Sequence, residues 1–166
     1  MAAASENAPG LDVGALFSAL LAWAQQNPLL VCLVAFVFWQ LWNRGAPFPE
    51  VPGSRVREIK SPEQFAELLG ECKKNSSVLV VDYFALWCPP CRRAHPVYAE
   101  MSKFYQEKDA IFAKVNVDEA RAVAAAHGIQ AMPTFKVFDA SGRVLSTLQG
   151  WNESTLRDNI VKAINK

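Results

Sequence analysis

The first 43 residues of this 166-residue chain contain no lysine or arginine, and their only acidic residues are Glu6 and Asp12. All 17 basic residues lie at Arg44 or later. A secretory signal peptide carries basic residues before its apolar core, so this pattern disfavours one. The net charge of +1 gives no sign of nucleic-acid binding or of a wholly disordered chain. The chain therefore divides into an apolar leader and a globular part of mixed charge.

Cysteine is also scarce, and the four that occur are Cys32, Cys72, Cys88 and Cys91. Thiols this few and this scattered do not suit a small protein held together by disulfides. Only Cys88 and Cys91 are close in sequence, as the two ends of Cys-Pro-Pro-Cys. A pair with this spacing beside a strand–helix junction is typical of redox or metal chemistry.

The stretch from Pro28 to Trp42 is uncharged, and its one polar residue is Gln40. We predict a transmembrane helix over 28–43, at the short end of the range that spans a bilayer. The alternatives are a buried helix of the globular part and the core of a signal peptide. Residues 1–27 form an N-terminal apolar leader with a shorter apolar run, which either lies along the membrane interface or packs on the longer helix.

The orientation of the predicted membrane helix follows from its flanking charges. The nearest basic residues all follow the helix, and they are Arg44, Arg55, Arg57 and Lys60. Because positive flanking charge favours the cytosolic side, residues 55–166 are predicted to face the cytosol. Residues 44–54 are rich in proline and glycine and are predicted to be a linker. Asn75 and Asn152 begin N-glycosylation tripeptides, which matter only if this orientation is reversed.

Residues 55–166 alternate between strand and helix patterns in the order βαβαβα and then ββα. The run Val78–Phe84 is apolar except for Asp82, which predicts a central strand covered on both faces. Helices are predicted from Ser61 to about Lys74, from the cysteines to about Glu107, over 118–127 and from Asn152 onward. Strands are predicted over 56–59, over 111–117 and on both sides of a turn at 140–142. The fold class is therefore α/β, with a mixed five-stranded sheet between helices.

The Cys-Pro-Pro-Cys segment lies where the central strand ends and a helix begins. A thiol at a helix N-terminus has a lowered pKa, because free backbone N–H groups and the helix dipole favour the thiolate. Pro89 and Pro90 take positions whose N–H groups have no helical partner, and their fixed φ starts the turn. Cys91 then lies one turn from Cys88, and its N–H is expected to point at the Cys88 sulfur. We predict an exposed Cys88 thiolate with Cys91 beneath it.

Two other uses of the cysteine pair stay open at this point. A structural zinc site needs four ligands, usually from two close pairs. The remaining candidates contain no second pair, and they are Cys32, Cys72, His95 and His127. A purely structural disulfide between Cys88 and Cys91 closes a very small loop and so stabilises little. Redox chemistry is the favoured interpretation.

Two charged residues in neighbouring strands complete the predicted catalytic set. Strand alternation places Asp82 on the same face as Val80 and Phe84, so we expect it to be buried. Burial raises the pKa of a carboxyl group toward neutrality, where it can take a proton from the second thiol. Lys114, in the next strand, is a candidate partner that moderates this shift. For both residues the alternative is an ordinary strand residue without a catalytic role.

Together these motifs resemble the thioredoxin family over about Val56 to Lys166. The segment VVDYFALWCPPC matches the family's strand and active site, and FAKVNVD places Lys114 at its buried lysine. Pro96 matches the proline that kinks the active-site helix. The segment GIQAMPTFKVF matches the loop that carries a cis-proline, which falls on Pro133. Gly150 matches the glycine of the substrate groove.

The resemblance implies a thioredoxin fold and a thiol–disulfide oxidoreductase that reduces protein disulfides through the Cys88/Cys91 dithiol. It implies no cofactor beyond that redox-active disulfide, and as partners it implies disulfide-containing proteins and a thioredoxin-reductase-type electron donor. The residues implied to shape the substrate groove are Trp87, Pro89, Pro90, Met132, Pro133 and Gly150. Pro89 replaces the glycine of the family's commonest WCGPC sequence, as in the related tryparedoxins, so the direction of exchange stays open. His95 is expected at the surface.

The expected protein is thus a membrane-tethered thiol–disulfide oxidoreductase. One rival is a non-catalytic adaptor at a membrane, whose thioredoxin-like fold carries incidental thiols. The other is a disulfide oxidase or isomerase in an oxidising lumen, which requires the reversed topology.

Overall fold

The computed structural model describes residues 13–42, 45–105 and 109–166. The chain divides into two compact units, with the boundary between Arg44 and Gly45. Residues 45–54, predicted to be a linker, therefore belong to the second unit. Three parts of the predictions lie outside the described residues: the start of the leader, Asn43 with Arg44, and the end of the helix predicted to reach Glu107.

The first unit contains α1 (Val13–Gln26) and α2 (Pro28–Trp42). Asn27 separates them, with its side-chain amide donating to the Trp23 carbonyl at 2.8 Å and its own carbonyl accepting from Leu30 N at 3.1 Å. Neither helix alone is long and apolar enough to cross a membrane. Among the described residues, α1 together with Pro28–Trp39 is the one combination that meets the length and composition of a span, and this pair is bent by 102°.

The second unit is built on one five-stranded sheet. Its strands are β1 (Arg57–Glu58), β2 (Val78–Phe84), β3 (Ala110–Asn116), β4 (Thr134–Phe138) and β5 (Val144–Gln149). The strands lie in the order β1-β3-β2-β4-β5, in which β1, β3 and β2 are parallel. Strand β4 pairs antiparallel with β2 and with β5. The predicted α/β class with a mixed sheet is confirmed, and β2 is central and buried along its whole length.

Four helices pack on the two faces of this sheet. They are α3 (Pro62–Asn75), α4 (Pro89–Phe104), α5 (Arg121–Ala126) and α6 (Glu153–Ile164). Alternate residues of β2 divide between the faces, so Leu79 and Val81 pack with side chains of α3 and α5. Val78 and Val80 pack with side chains of α4 and α6. Asp82 follows the second set by strand alternation and so faces the same side as α4.

Several element boundaries differ from the predictions. Strand β1 is shorter than 56–59, and α4 ends at Phe104. Helix α5 is shorter than 118–127, because the Asn116 side chain closes a turn before it. Its Oδ1 accepts from Asp118 N at 3.1 Å, and its Nδ2 donates to Glu119 Oε1 at 3.0 Å. Such local side-chain bonds compete with helix formation, so α5 starts only after the turn.

Candidate redox site

Cys88 and Cys91 form a disulfide at the N-terminus of α4, and their Cα atoms lie 5.3 Å apart. Cys88 caps the helix, and the backbone N–H of Cys91 donates to Cys88 Sγ at 3.3 Å, as predicted. Pro89 and Pro90 fill the first two helical positions, where no helical hydrogen bond is lost. The segment therefore holds two sulfur atoms at bonding distance, with a helix N-terminus directed at the first.

Both cysteines are buried, which corrects the prediction of an exposed Cys88. Cys88 is 4% exposed and Cys91 is 0% exposed. They form one cluster with Phe84 and Ala85. Four partly buried side chains pack against this cluster, those of Phe48, Leu86, Val117 and Met132. Cys88 is thus buried in the oxidised state, in which its sulfur is bonded to that of Cys91.

Asp82 is buried as predicted, with 1% of its surface exposed. Its Oδ1 has no hydrogen-bond partner in the part of the chain that the structure describes. Burial raises the pKa of Asp82 to about 8, and the positive charge of Lys114 opposes this rise. Because a thiol titrates in the same range, proton exchange between this carboxyl and a cysteine is close to balanced in energy.

Lys114 lies beside Asp82 in the sheet, since the two residues are partners in the parallel register of β3 and β2. Its side chain is partly buried, and its Nζ lies 5.8 Å from the centre of the Phe84 ring. The structure thus brings the predicted acid and the predicted lysine together. Their catalytic roles stay predictions.

Met132 and Pro133 connect the disulfide to β4. The predicted cis peptide bond between them is present, and Met132 packs against the cysteine cluster. The Pro133 carbonyl accepts from Gly150 N at 2.8 Å. Gly150 has a φ of +80°, a conformation that favours glycine. The structure therefore places Met132 against the cysteines and Gly150 against Pro133, while their contact with substrate stays a prediction.

Trp87 is the exposed large apolar side chain beside the disulfide, at 52%. Its ring N–H donates to Asp118 Oδ2 at 2.8 Å. Asp118 is absent from the predicted site, although it follows β3 closely. Because β2 and β3 are parallel, their carboxyl ends meet at the edge of the sheet where Cys88 lies, and this topology is a signal that points to Asp118.

His95 is buried, with 7% exposed, so the prediction of a surface position is wrong. It lies four residues after Cys91 and three before Tyr98, which places it on the buried face of α4. Burial lowers the pKa of His95, the charge of Lys114 lowers it further, and a hydrogen bond with the Pro49 backbone opposes both. This helical spacing was the available signal, and His95 is the nearest described histidine to the disulfide in sequence.

Within the three described ranges, no group of three or more His, Cys, Asp or Glu side chains is placed to hold a metal ion. Cys72 is a buried free thiol of α3, and burial raises its pKa. Cys32 is an exposed free thiol of α2.

Comparisons with known proteins add to this geometry. The family model described as Thioredoxin matches residues 57–165. Thioredoxin H4 of Arabidopsis thaliana is 43% identical over 94 residues, which cover 57% of this chain and 77% of that protein. Thioredoxin of Geodia cydonium is 44% identical over 108 residues, or 64% of this chain and 97% of that protein.

Solved structures give the same picture. The crystal structure of a poplar thioredoxin h mutant has a TM-score of 0.65 at 28% identity, covering 72% of this chain and 91% of that one. A thioredoxin structure from Plasmodium falciparum has a TM-score of 0.57 at 38% identity, covering 64% of this chain and 98% of that one. The disulfide, Asp82, Lys114, Pro133 and Gly150 all lie within the residues that the family model matches.

Proposed function

The chain belongs to the thioredoxin family, and on this premise we propose that it reduces protein disulfides while held at a membrane. Members of the family are thiol–disulfide oxidoreductases that work through a redox-active disulfide, and this chain is such an enzyme. The observation that carries the residues of the proposal is the Cys88–Cys91 disulfide at the start of α4, while the reducing direction rests on the proposed cytosolic orientation. Cys88 is the nucleophile and Cys91 is the resolving thiol.

The first step starts from the reduced dithiol. The Cys88 thiolate, favoured by the Cys91 N–H and by the dipole of α4, attacks one sulfur of a substrate disulfide. A bond forms between Cys88 and that sulfur, the substrate's own S–S bond breaks, and the leaving sulfur departs as a thiolate that takes a proton from water. Exposed Trp87 and the backbone at Met132 offer the surface on which an extended substrate binds.

The second step uses the buried side of the site. Asp82, in its carboxylate form, accepts the proton of the Cys91 thiol, and the Cys91 sulfur attacks Cys88. The Cys88–Cys91 bond forms, the mixed disulfide breaks, and the second substrate sulfur leaves as a thiolate that takes a proton from water, while Asp82 later returns its proton to water. Because burial holds the pKa of Asp82 near 8, the carboxylate fraction at neutral pH is small and rises with pH.

Each cycle transfers two electrons to the substrate and leaves the enzyme oxidised, as in the structure. A thioredoxin-reductase-type protein is the proposed donor that returns the pair to the dithiol, in keeping with the family. Disulfide-containing proteins are the proposed substrates.

The membrane tether rests on the first unit. Residues 13–42 contain no charged residue. The large apolar side chains of α2 that the structure describes are between 39% and 86% exposed, which leaves an apolar surface that water does not suit. A bilayer is the partner that we propose for this surface, entered by the bent pair α1 and α2.

The orientation remains as the flanking charges predict. The basic residues that follow the apolar leader place the second unit in the cytosol, where a reducing environment favours disulfide reduction. Expression in cells with an active glycosylation pathway tests this topology. We expect no increase in mass at Asn75 or Asn152, whereas sugar on either residue supports the lumenal oxidase or isomerase.

The activity test uses the full-length chain in detergent micelles with a peptide disulfide and a chemical reductant. Wild type is expected to accelerate reduction, Cys88→Ser to abolish the acceleration, and Cys32→Ser to leave it unchanged. Equal rates for wild type and Cys88→Ser would instead support the non-catalytic adaptor.

A further inference from the structure

A short segment without helix or strand packs against the start of α4. We name Gly45–Pro49 the strap; it precedes the residues that the family model matches and lies in the same compact unit as the redox site. A Cβ atom built on Gly45 would lie 2.6 Å from the carbonyl carbon of Leu86, and the φ of Gly45 is +77°. The strap backbone thus touches the loop that leads into Trp87 and Cys88, at a distance that only glycine permits.

Arg92 joins the strap to that loop. Its Nη2 donates to the Ala46 carbonyl at 2.8 Å and to the Leu86 carbonyl at 3.3 Å. The centre of its guanidinium group lies 5.0 Å from the centre of the Phe48 ring, which is the distance of a cation–π contact. Arg92 directly follows Cys91, so its hydrogen bonds and its cation–π contact link the first turn of α4 to the strap.

Phe48 is the side chain that the strap places in the site. Its ring centre lies 5.2 Å from that of Phe84 and 4.9 Å from that of His95. It also packs against the cluster that holds both cysteines. Phe48 therefore covers the flank of the site formed by β2 and α4, on the sheet face that Asp82 shares.

The groups that face this flank come from three elements: ionisable side chains from β3 and α4, and an apolar neighbour from β4. Lys114 of β3 also lies near the Phe84 ring, and its charge acts on both Asp82 and His95. Tyr98 of α4 donates to the carbonyls of Val80 and Ala113, at 2.9 and 2.8 Å. Phe135 of β4 is the apolar cross-strand neighbour of Asp82. Phe48 is thus an apolar cover of this flank that comes from the segment before β1, outside the sheet and α4.

We propose that the strap is a working part of the redox site, in which Phe48 is a positioning residue that keeps water from the flank of Asp82 and Lys114. The inference deepens the proposed function, because it concerns the proton acceptor of the second step. It also gives the segment between the leader and the family-matched domain a role in the chemistry, beyond that of a connector.

The test follows the ionisation of Asp82 without any substrate. The full-length chain, oxidised and in detergent micelles, is labelled with ¹³C at aspartate, and the Asp82 carboxyl signal is titrated by NMR, with its assignment made from Asp82→Asn. In wild type the midpoint is expected near the value of about 8 that burial produces. In Phe48→Ala, water reaches the flank, and we expect the midpoint to fall by about one pH unit.

Two variants serve as controls. Phe104→Ala makes the same substitution at the exposed end of α4, and the midpoint is expected to stay at its wild-type value. Phe48→Leu keeps an apolar cover, and its midpoint is expected to lie close to that of wild type. Phe48→Val, a smaller truncation with an intermediate expected fall, carries the same test should the alanine variant fail to fold.

A midpoint in Phe48→Ala or Phe48→Val that equals the one in Phe104→Ala would overturn the proposal. A fall that Phe48→Leu does not reverse would overturn it as well, because the effect would then not depend on the apolar cover. Since the titration needs neither substrate nor reductant, its result is independent of whether the reductase activity is found.

Discussion

Helix α2 and strand β2 are both apolar runs with a single strongly polar residue, yet their side chains differ in solvent exposure. Every residue of β2 is buried between two layers of helices. The large apolar side chains described in α2 are exposed, Leu29 by as much as 86%. The protein itself buries the apolar side chains of β2, whereas it leaves those described in α2 exposed, which is why we proposed a bilayer as their partner.

The two segments also differ in whether they contain a charged residue. In β2 the polar residue is Asp82, which the fold encloses and whose pKa it raises to about 8. A buried acid of this kind lowers stability at neutral pH, and in the proposed mechanism it accepts the Cys91 proton. In α2 no charged residue occurs at all, as a bilayer requires.

The largest effect is expected from Asp82→Asn. The folded pKa lies above that of an unfolded aspartate, so the wild type loses stability as the pH rises from about 4 to about 8 and is level above that. Between the unfolded pKa and pH 7 lie roughly three pH units. Over this range the free energy of unfolding of Asp82→Asn is expected to rise, relative to that of wild type, by up to about 4 kcal/mol. Urea unfolding of the full-length chain in micelles at pH 4 and pH 7 measures the difference.

The same variant should be slower in chemistry while it is more stable. Without a carboxylate to take the Cys91 proton, resolution of the mixed disulfide is expected to slow at least about tenfold, with its rise near pH 8 removed. A variant with the wild-type rate and pH profile would show that Asp82 is only a buried strand residue.

Val37→Lys tests the other side of the comparison, with Val161→Lys of α6 as its match. Both valines are 47% exposed on a helix, so the two substitutions differ mainly in the surface that receives the charge. A lysine within a membrane segment costs about 3 kcal/mol, so Val37→Lys is expected to lower partition into vesicles about a hundredfold. Val161→Lys is expected to leave partition unchanged, and equal partition of both variants would contradict the tether.

The smallest effect compares two Val→Ala substitutions. Val80→Ala of β2 removes two buried methylene equivalents and is expected to destabilise the second unit by about 2 kcal/mol. Val34→Ala of α2 is expected to change the unfolding of that unit by less than about 0.5 kcal/mol. Urea unfolding checks both, and a similar loss in the two variants would mean that α2 is also part of a protein core.

Most of the fold was predictable because the patterns in residues 55–166 are strong. The unbroken apolar run of β2 predicts a central strand, and Ser61 before Pro62 predicts the start of α3, where Ser61 accepts from Gln64 N at 3.4 Å. Helix and strand boundaries that depend on a single side chain were harder to predict from the sequence. The turn that shortens α5 depends on two hydrogen bonds of Asn116, and composition does not reveal them.

In the candidate site, the placement of Cys88 and Cys91 was predictable because their motif lies at a helix start. The burial of Asp82 was predictable from strand alternation. The strap was missed for a physical reason. Proline and glycine predict the absence of helix and strand, and the strap has neither, but an irregular segment can still pack closely. Phe48, an aromatic residue within a Pro-rich stretch, was the one signal that this segment has a contact to make.

The central claim is that Cys88 attacks and Cys91 resolves. It is tested most directly by treating reduced, full-length Cys91→Ser with a peptide disulfide and locating the adduct by mass spectrometry. We expect a mixed disulfide that accumulates on Cys88, while wild type ends with the Cys88–Cys91 bond and no adduct there. No adduct on Cys88, or one that forms no faster than on the exposed Cys32, would rule out Cys88 as the attacking thiol.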